Sequence, residues 1–304
     1  MNADPVELAA QLRDRVDGQI ETDRPLAPFT SYKIGGSTAV WIAPITKEGV
    51  GCALEVIHEK KVPLLVLGRG SNLLVSDYGW EGATLYLGEN FSGWRFDDRQ
   101  AKVQAGTLLM DLIRAAVKKG LSGLELLAGI PGGVGGALCM NAGAFGQEIE
   151  QVTVSVSGFR RDGSAFLADR HRISFDYRRV PELEKAVITS ALFQFTEKDP
   201  GALKTRIEDI LALRAGKQPL SHPSCGSVFK RPAGYYAGAL IEETGLKGKR
   251  IGGAMISPKH AGFILNVDNA KAIDVYALIQ LIEARVLDRF GVQLEREVKL
   301  IGEF

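Results

Sequence analysis

Two stretches of small residues are the parts of this sequence best suited to chemistry on a large ligand. The longer one, from Ala128 to Ala144, has glycine at positions 132, 133, 135 and 136. Apolar residues and Pro131 interrupt these glycines, so the stretch differs from a flexible linker of glycine and serine. Backbone without side chains lets main-chain amides come close to a phosphate group or a flat ring. This glycine segment, residues 128–144, is therefore predicted to contact a ligand through its backbone.

The shorter stretch follows the apolar run Leu64–Leu67 and precedes another run that begins at Leu73. We name it the glycine loop, and it consists of Gly68, Arg69, Gly70, Ser71 and Asn72. Its composition alone is explained equally well by an ordinary hairpin turn and by a ligand-binding loop. Beside the glycine segment the second interpretation is favoured, because two such elements suit a large cofactor that carries a diphosphate.

Common nucleotide-binding motifs are absent from both elements. In the glycine loop, Leu73 stands where the dinucleotide fingerprint G-x-G-x-x-G requires its third glycine. The P-loop sequence G-x-x-x-x-G-K-S/T does not occur. These absences argue against a Rossmann dinucleotide site and exclude a P-loop.

The loop from His222 to Pro232 places a thiol and a hydroxyl among small residues. Cys225 can be a nucleophile, but the sequence marks no Cys-His-Asn set, so an inert thiol is the favoured interpretation. Ser227 lies in no G-x-S-x-G elbow, which argues against a hydrolase nucleophile. Its hydroxyl can still donate a proton where a neighbouring group lowers the cost.

Other polar residues admit a structural or a functional interpretation. Arg178 belongs either to a solvated charged face or to a site for a carboxylate or sugar phosphate. The alternating residues 294–300 predict a strand that turns Glu297 toward solvent and leaves it without a role. His260 is interpreted as a structural loop residue, and the four histidines lack the spacing of metal ligands. The residues by themselves indicate a two-domain enzyme with a diphosphate cofactor, an anionic substrate and no metal.

The overall composition excludes several classes of protein. The 304 residues include 37 basic and 36 acidic ones, so a net charge of +1 gives no general attraction to nucleic acid or membranes. The N-terminus lacks the order of a signal peptide, and no apolar run approaches the roughly 20 residues of a membrane span. Three cysteines without a C-x-x-C motif argue against a disulfide framework. We expect a cytoplasmic protein.

Hydrophobic periodicity and turn residues predict short strands that alternate with helices. Helices are expected at 5–17, 47–60, 108–119, 201–215, 235–244 and 271–290. Strands are expected at 40–42, 64–67, 73–76, 83–87, 102–105, 151–158, 165–168, 186–195, 251–256, 262–267 and 292–301. Thr107 is expected to cap the third helix. A domain boundary is predicted near residue 198.

At the motifs described above, the sequence resembles the UDP-N-acetylenolpyruvoylglucosamine reductase family. The matching motifs occur in the family's order at 68–77, 129–137, 141–144, 177–178, 223–230, 241–248 and 294–298. The resemblance implies an α+β protein with an FAD-binding domain of the vanillyl-alcohol-oxidase type at 25–197. An N-terminal helical extension at 1–24 would precede it, and a smaller α+β substrate-binding domain at 198–304 would follow.

The resemblance also implies an activity, in which NADPH serves to reduce an enolpyruvyl ether to a lactyl ether. The product would be UDP-N-acetylmuramate for peptidoglycan synthesis. We expect FAD to be bound non-covalently, because neither glycine element contains a histidine and nothing near Cys139 suggests a flavin link. The expected partner is a UDP-sugar substrate, and the protein is expected to be a monomer or a weak oligomer that binds neither nucleic acid nor membranes.

The family's functional residues match positions in this chain one by one. Ser227 is similar to the proton donor, while Arg178 and Glu297 fall where the substrate carboxylate is polarised and the enolate assisted. Tyr177 and Lys230 match residues on the substrate side. The positions that match FAD contacts are Gly68, Arg69, Gly70, Ser71, Asn72, Gly129, Pro131, Gly132, Gly135, Gly136, Asn141 and Ala142.

The chain departs from the family pattern at two positions. Val180 stands where serine is usual, and Arg231 stands where asparagine is common. The spacing matches the compact class, which lacks a substrate-covering insertion. Two alternatives are a related FAD-dependent sugar or alcohol oxidase, which would need no NADPH, and a flavin-binding module without catalysis. The joint presence of Ser227, Arg178 and Glu297 argues against the second alternative.

Overall fold

The structure is a computed structural model that describes residues 3–304. Its α-helices are α1 (Pro5–Arg13), α2 (Lys47–Glu59), α3 (Leu109–Lys118), α4 (Val134–Cys139), α5 (Pro181–Glu184), α6 (Pro200–Lys217), α7 (Ala237–Glu243) and α8 (Ala272–Phe290). Its first strands are β1 (Gly18–Pro25), β2 (Ser37–Pro44), β3 (Leu64–Leu67), β4 (Leu73–Val75), β5 (Trp80–Tyr86), β6 (Trp94–Asp97), β7 (Gln100–Gln104), β8 (Leu121–Ser122) and β9 (Gly143–Ala144). The later strands are β10 (Gln147–Glu148), β11 (Thr153–Arg160), β12 (Ala165–Asp169), β13 (Ala186–Gln194), β14 (Thr196–Glu197), β15 (Arg250–Ile251), β16 (Ala254–Ile256), β17 (Ile264–Asn266) and β18 (Lys299–Ile301).

The chain divides into two compact units, and both are discontinuous in sequence. The N-terminal unit contains the described residues up to Asp23, Ala39–Arg69 and Gly82–Leu213. The C-terminal unit contains Arg24–Thr38, Gly70–Glu81 and Arg214–Phe304. A single boundary in the sequence cannot express this division, because two early segments belong to the C-terminal unit. The domain limits 1–24, 25–197 and 198–304 stay a prediction.

The N-terminal unit is built around two sheets. One has the strand order β1-β2-β5-β3, and the other is antiparallel with the order β12-β11-β13-β7-β6. Helix α3 buries residues at helical spacing, namely Leu109, Leu112, Ile113 and Ala116. This apolar stripe packs into the core that also contains strand β7 and the glycine segment.

The C-terminal unit has a core to which all three of its segments contribute. Tyr32 and Leu74 come from the two early segments and pack with Ile241 and Ile282 of helices α7 and α8. Strand β4 pairs in parallel with β18, and the antiparallel sheet β15-β16-β17 packs against α8. The early segments are therefore part of this unit's hydrophobic core and not only connections.

Several predicted elements need correction. The helix expected at 5–17 ends at Arg13, and strand β1 follows where no strand was predicted. The strand expected at 251–256 is two antiparallel strands, because Gly252 turns the chain with a φ of 51°. Thr107 does not cap α3, since Leu108 is its N-cap and the Thr107 hydroxyl donates to the Gly93 carbonyl at 3.0 Å.

The glycine loop is not the hairpin turn that its composition alone allowed. Strand β3, which precedes it, pairs in parallel with β5, and strand β4, which follows it, pairs with β18. The loop therefore carries the chain from one sheet to another. In residues 3–304, no helix combines the length and the apolar character needed to cross a bilayer.

Candidate functional site

The glycine segment of the N-terminal unit combines tightly packed and open backbone. Gly129 and Gly132 have φ values of 82° and 118°, which side chains of L-residues rarely adopt. A Cβ added at Gly135 would lie 2.9 Å from the Cβ of Ala105, so the segment packs closely against strand β7 and its extension. A Cβ added at Gly136 would meet no atom of another element within 4 Å in the described part of the chain. The segment thus presents bare backbone at Gly136.

Asn141, which ends the glycine-rich part of this segment, is fully buried in the left-handed conformation, with a φ of 40°. Its Nδ2 donates to a carboxylate oxygen of Glu148 at 2.7 Å. Its Oδ1 is buried and has no hydrogen-bond partner among residues 3–304. A buried acceptor without a donor costs free energy, so this atom fits a ligand that donates a hydrogen bond. The neighbouring Ala142 is buried and donates from its amide to the Ala137 carbonyl.

Arg178 lies at the tip of a four-residue turn between Asp176 and Arg179 in the same unit. Its φ of 55° is uncommon for a residue with a side chain. The guanidinium donates to the carbonyls of Gly143 at 2.8 Å and of Asn141 at 3.4 Å. These bonds attach the guanidinium to the end of the glycine segment. In the sequence, the two motifs are linked only through the family resemblance.

The residues beside Arg178 differ in their surroundings. The ring of Tyr177 is half exposed, and the Arg178 guanidinium lies 5.1 Å from its centroid. Arg179 is exposed, whereas Val180 is completely buried in the core. Valine at position 180, where the family usually has serine, therefore packs in the core.

The first two residues of the glycine loop belong to the N-terminal unit. A Cβ added at Gly68 would meet no described atom within 4 Å, so its backbone is open. Arg69 donates to the Gly106 carbonyl at 3.4 Å and to the Ser92 hydroxyl at 3.3 Å, and its guanidinium lies 3.6 Å from Glu89. The guanidinium is thereby held in one position beside open backbone.

The last three residues of the glycine loop belong to the C-terminal unit. Gly70 has a φ of 57°, and a Cβ there would lie 2.1 Å from the Phe29 carbonyl oxygen, so only glycine fits. Asn72 forms two hydrogen bonds with the chain near the C-terminus. Its Nδ2 donates to the Glu297 carbonyl at 3.0 Å, and its own carbonyl accepts from the Lys299 amide at 3.0 Å.

Glu297 lies at a β-bulge beside the segment that carries Ser227. The Val228 carbonyl accepts from the amides of both Glu297 and Val298, at 2.8 and 3.3 Å, which is the hydrogen-bond pattern of a bulge. The strand predicted at 292–301 is therefore wrong before Lys299, and the alternation that turned Glu297 toward solvent does not hold. Glu297 is instead half-buried.

Ser227 itself is exposed, between the buried residues Cys225 and Val228. It pairs with Phe263 in an isolated antiparallel bridge, and the Val228 amide donates to the Gly262 carbonyl at 2.9 Å. The segment is held from one side by residues 262–263 and from the other by the bulge. Its hydroxyl is accessible on a fixed backbone.

The thiol of Cys225 is buried below this segment. Burial raises its pKa to about 12, and the negative charge of Glu297 adds to the rise. Because the thiolate is the reactive form, this result supports the interpretation of Cys225 as an inert thiol.

Lys230 and Arg231 follow Ser227 in the same loop. The Lys230 ammonium lies 2.5 Å from a Glu295 carboxylate oxygen, and its amide donates to the Glu295 carbonyl. The Arg231 guanidinium lies 4.0 Å from the centroid of the Tyr236 ring, a cation–π contact. Arg231 thus has a structural partner where the family often has asparagine.

The connection between Asn72 and Glu297 could not be predicted from the sequence. Both residues were singled out, one for the cofactor and one for catalysis, but they are 225 positions apart. No local pattern in the sequence indicates a contact at that separation.

Two family models match the chain. The FAD binding domain model matches residues 38–166. The model of the C-terminal domain of UDP-N-acetylenolpyruvoylglucosamine reductase matches residues 218–301.

Similar proteins cover nearly the whole chain. The UDP-N-acetylenolpyruvoylglucosamine reductase of Clostridioides difficile is 39% identical, over 93% of this chain and 94% of its own length. The crystal structure of the same enzyme from Thermus caldophilus is 34% identical, with a TM-score of 0.80 over 93% of this chain and 98% of that chain. The glucose dehydrogenase Phl p 4.0202 shares the fold over 64% of this chain and 44% of its own, with 16% identity and a TM-score of 0.50.

These similarities confirm the expected α+β fold, with an FAD-binding domain followed by a C-terminal domain of the reductase type. The chain therefore belongs to the UDP-N-acetylenolpyruvoylglucosamine reductase family.

Proposed function

We propose that this protein is an NADPH-dependent flavoenzyme that reduces UDP-N-acetylglucosamine enolpyruvate to UDP-N-acetylmuramate for peptidoglycan synthesis. The observation that carries the proposal is the attachment of the Arg178 guanidinium to the carbonyls of Asn141 and Gly143. This attachment holds a guanidinium, which is a group that binds carboxylates, against the glycine segment, which fits FAD. This combination suits reduction of a carboxylate-bearing double bond beside a flavin.

FAD would be held by residues of the two glycine elements. The open backbone at Gly68 and Gly136 suits close approach of the cofactor, and the buried Oδ1 of Asn141 suits one of its hydrogen-bond donors. When bound, FAD would accept hydride from NADPH and supply it to the vinyl carbon of the substrate. We propose the same cofactor role for the other residues that match the family's FAD contacts.

The protein's own residues would stabilise and protonate the substrate. As hydride adds to the vinyl carbon, negative charge develops on the carbon that bears the carboxylate. Arg178 would bind that carboxylate through two N–H groups and stabilise the enolate. Ser227 would donate the proton from its hydroxyl to the carbon, and Glu297 would assist the enolate. Atoms balance, because one hydride and one proton complete the reduction of the double bond.

The remaining assignments complete the proposal. Tyr177 and Lys230 would contact the UDP-sugar substrate outside its reacting atoms. The FAD-binding part would correspond to residues 25–197, the substrate-binding part to 198–304, and the first 24 residues to a helical extension. We propose a cytoplasmic monomer or weak oligomer that acts on a small molecule and binds neither nucleic acid nor membranes.

Anaerobic mixing tests the function and the mode of cofactor binding. The purified protein should be yellow, and acid or heat should release all of its flavin. NADPH should bleach the flavin, and the enolpyruvyl substrate should restore its colour. Reduction of the flavin by a sugar or an alcohol in the absence of NADPH would favour the oxidase alternative. Flavin that NADPH does not bleach, or that stays on the denatured chain, would contradict the proposal.

A further inference from the structure

His260 lies in a turn of the C-terminal unit that runs from Ser257 to Phe263, the 257–263 turn. The buried Ser257 hydroxyl accepts from the amides of Lys259 and His260 at 3.1 and 3.2 Å, which fixes the first half of the turn. The His260 ring meets the Phe263 ring edge-on, with 5.0 Å between centroids and an angle of 71°. The imidazole is half-buried.

The imidazole is connected to the Ser227 segment through a single residue, Gly262. The Gly262 amide donates to Nδ1 of His260 at 3.2 Å. The Gly262 carbonyl accepts from the Val228 amide at 2.9 Å, and Phe263 forms the antiparallel bridge with Ser227. Because Nδ1 accepts a hydrogen bond, the imidazole is neutral and carries its proton on Nε2.

We propose that neutral His260 is a positioning residue for Ser227, which it holds in place through Gly262 and Phe263. The inference rests on the proposed role of Ser227 as the proton donor. His260 needs no contact with substrate for this role. Its Nδ1 fixes the amide of Gly262, and the other side of Gly262 fixes the backbone next to the serine.

Burial, rather than the charges around it, keeps His260 neutral near physiological pH. Burial lowers its pKa below the ordinary value of 6.5, and Lys247 adds to the lowering while Glu242 opposes it. The Lys247 ammonium lies 2.6 Å from a Glu242 carboxylate oxygen, so the effects of these two opposite charges on the pKa of His260 largely cancel. When pH falls below 6.5 and through the lowered pKa, a proton on Nδ1 would face the Gly262 amide and remove the acceptor. The Ser227 step should therefore slow on the acid side.

Two substitutions of His260 separate the loss of the hydrogen-bond acceptor for the Gly262 amide from the titration of the imidazole. His260→Asn keeps a hydrogen-bond acceptor, because the asparagine side chain can accept from the amide two residues later, and it does not titrate. His260→Leu removes the acceptor. The control is His222→Leu, since His222 is exposed in the same unit and its ring contacts the hydroxyl of its neighbour Ser221.

The measurement is single-turnover flavin reoxidation by the enolpyruvyl substrate between about pH 5 and 8, the range in which histidine changes charge. At pH 7.5, His260→Leu should slow reoxidation about 10-fold, the effect of one lost hydrogen bond, and leave flavin reduction by NADPH unchanged. His260→Asn should keep the wild-type rate at pH 7.5 and lose the acid-side decline. His222→Leu should match wild type throughout.

Several outcomes would overturn the inference. These are wild-type reoxidation in His260→Leu, equal slowing of both half-reactions, or an acid-side decline that persists unchanged in His260→Asn. If wild-type protein is reduced by NADPH but not reoxidised by the substrate, the proposed function fails instead. The inference then fails with it, because Ser227 would have no step to perform.

Discussion

Arg178 and the pair of Ser227 and Glu297 are positioned in different ways, although the proposed reaction uses all three. Arg178 lies on a short turn, and its guanidinium bonds to carbonyls 35 and 37 residues earlier in the chain. Glu297 lies at a bulge whose partners are the Val228 carbonyl and the Asn72 side chain, which is 225 residues away. The first arrangement is comparatively local, and the second requires three distant segments to assemble.

This difference indicates how each region should respond to substitution. A contact between residues far apart in sequence forms only when the rest of the unit has closed the intervening loop. In the N-terminal region, substitution of Arg178 itself should have most of the effect on the reaction. In the C-terminal region, residues that touch no substrate should also alter the chemical step, because they hold the bulge and the Ser227 segment.

The largest effect is expected for Ser227→Ala. Loss of the proton donor should slow flavin reoxidation by the enolpyruvyl substrate by roughly 10²–10⁴-fold, the range for a lost general acid. Flavin reduction by NADPH needs no such proton and should stay near the wild-type rate. Stopped-flow absorbance of each half-reaction provides the measurement. Cys225→Ser should be close to neutral in both, since that thiol is buried with a pKa of about 12. If Ser227→Ala instead slowed flavin reduction and left reoxidation normal, Ser227 would serve the NADPH half-reaction and not protonation of the substrate.

Arg178→Lys should have the next largest effect. Lysine keeps the charge but loses the planar pair of donors, and with it the bonds to the Gly143 and Asn141 carbonyls. Steady-state turnover should fall on the order of 10²-fold, as for a lost donor to developing negative charge. The matched control is Arg179→Lys at the exposed neighbouring position, which should change little. Equal losses in the two variants would mean that both arginines only form a charged surface.

Asn72→Ala should have the smallest effect and tests the long-range arrangement directly. Removing its bond to the Glu297 carbonyl should slow reoxidation about 10-fold at saturating FAD, the free energy of one hydrogen bond. Asn90→Ala is the control, because Asn90 also donates to backbone carbonyls but lies in the N-terminal unit. A weaker affinity for FAD with normal reoxidation would show that Asn72 serves the cofactor alone.

Part of the candidate site could be predicted from the sequence because short-range chemistry dictates it. The glycine segment was recognisable from its small residues, and the structure gives Gly129 and Gly132 the positive φ values that glycine permits. The residues alone left Arg178 open between a charged surface and a carboxylate site, and its role came from the resemblance of Tyr177-Arg178 to the family's motif. Strand β3 at Leu64–Leu67 was predicted with the observed bounds, since its apolar run is bounded by a proline and a glycine.

The rest was decided by tertiary structure. Alternation of side chains predicted an unbroken strand at 292–301 and turned Glu297 toward solvent. The Val228 carbonyl accepts hydrogen bonds from two successive amides, and the resulting bulge breaks that alternation. A bulge depends on the partner strand, and the hydrophobic periodicity of one strand does not describe its partner. Likewise, the composition of the glycine loop allowed a hairpin turn as well as a ligand-binding loop, because the sequence does not show that β3 and β4 pair with β5 and β18. Local composition determines which backbone conformations are possible, whereas the packing of distant segments selects the one that places Glu297.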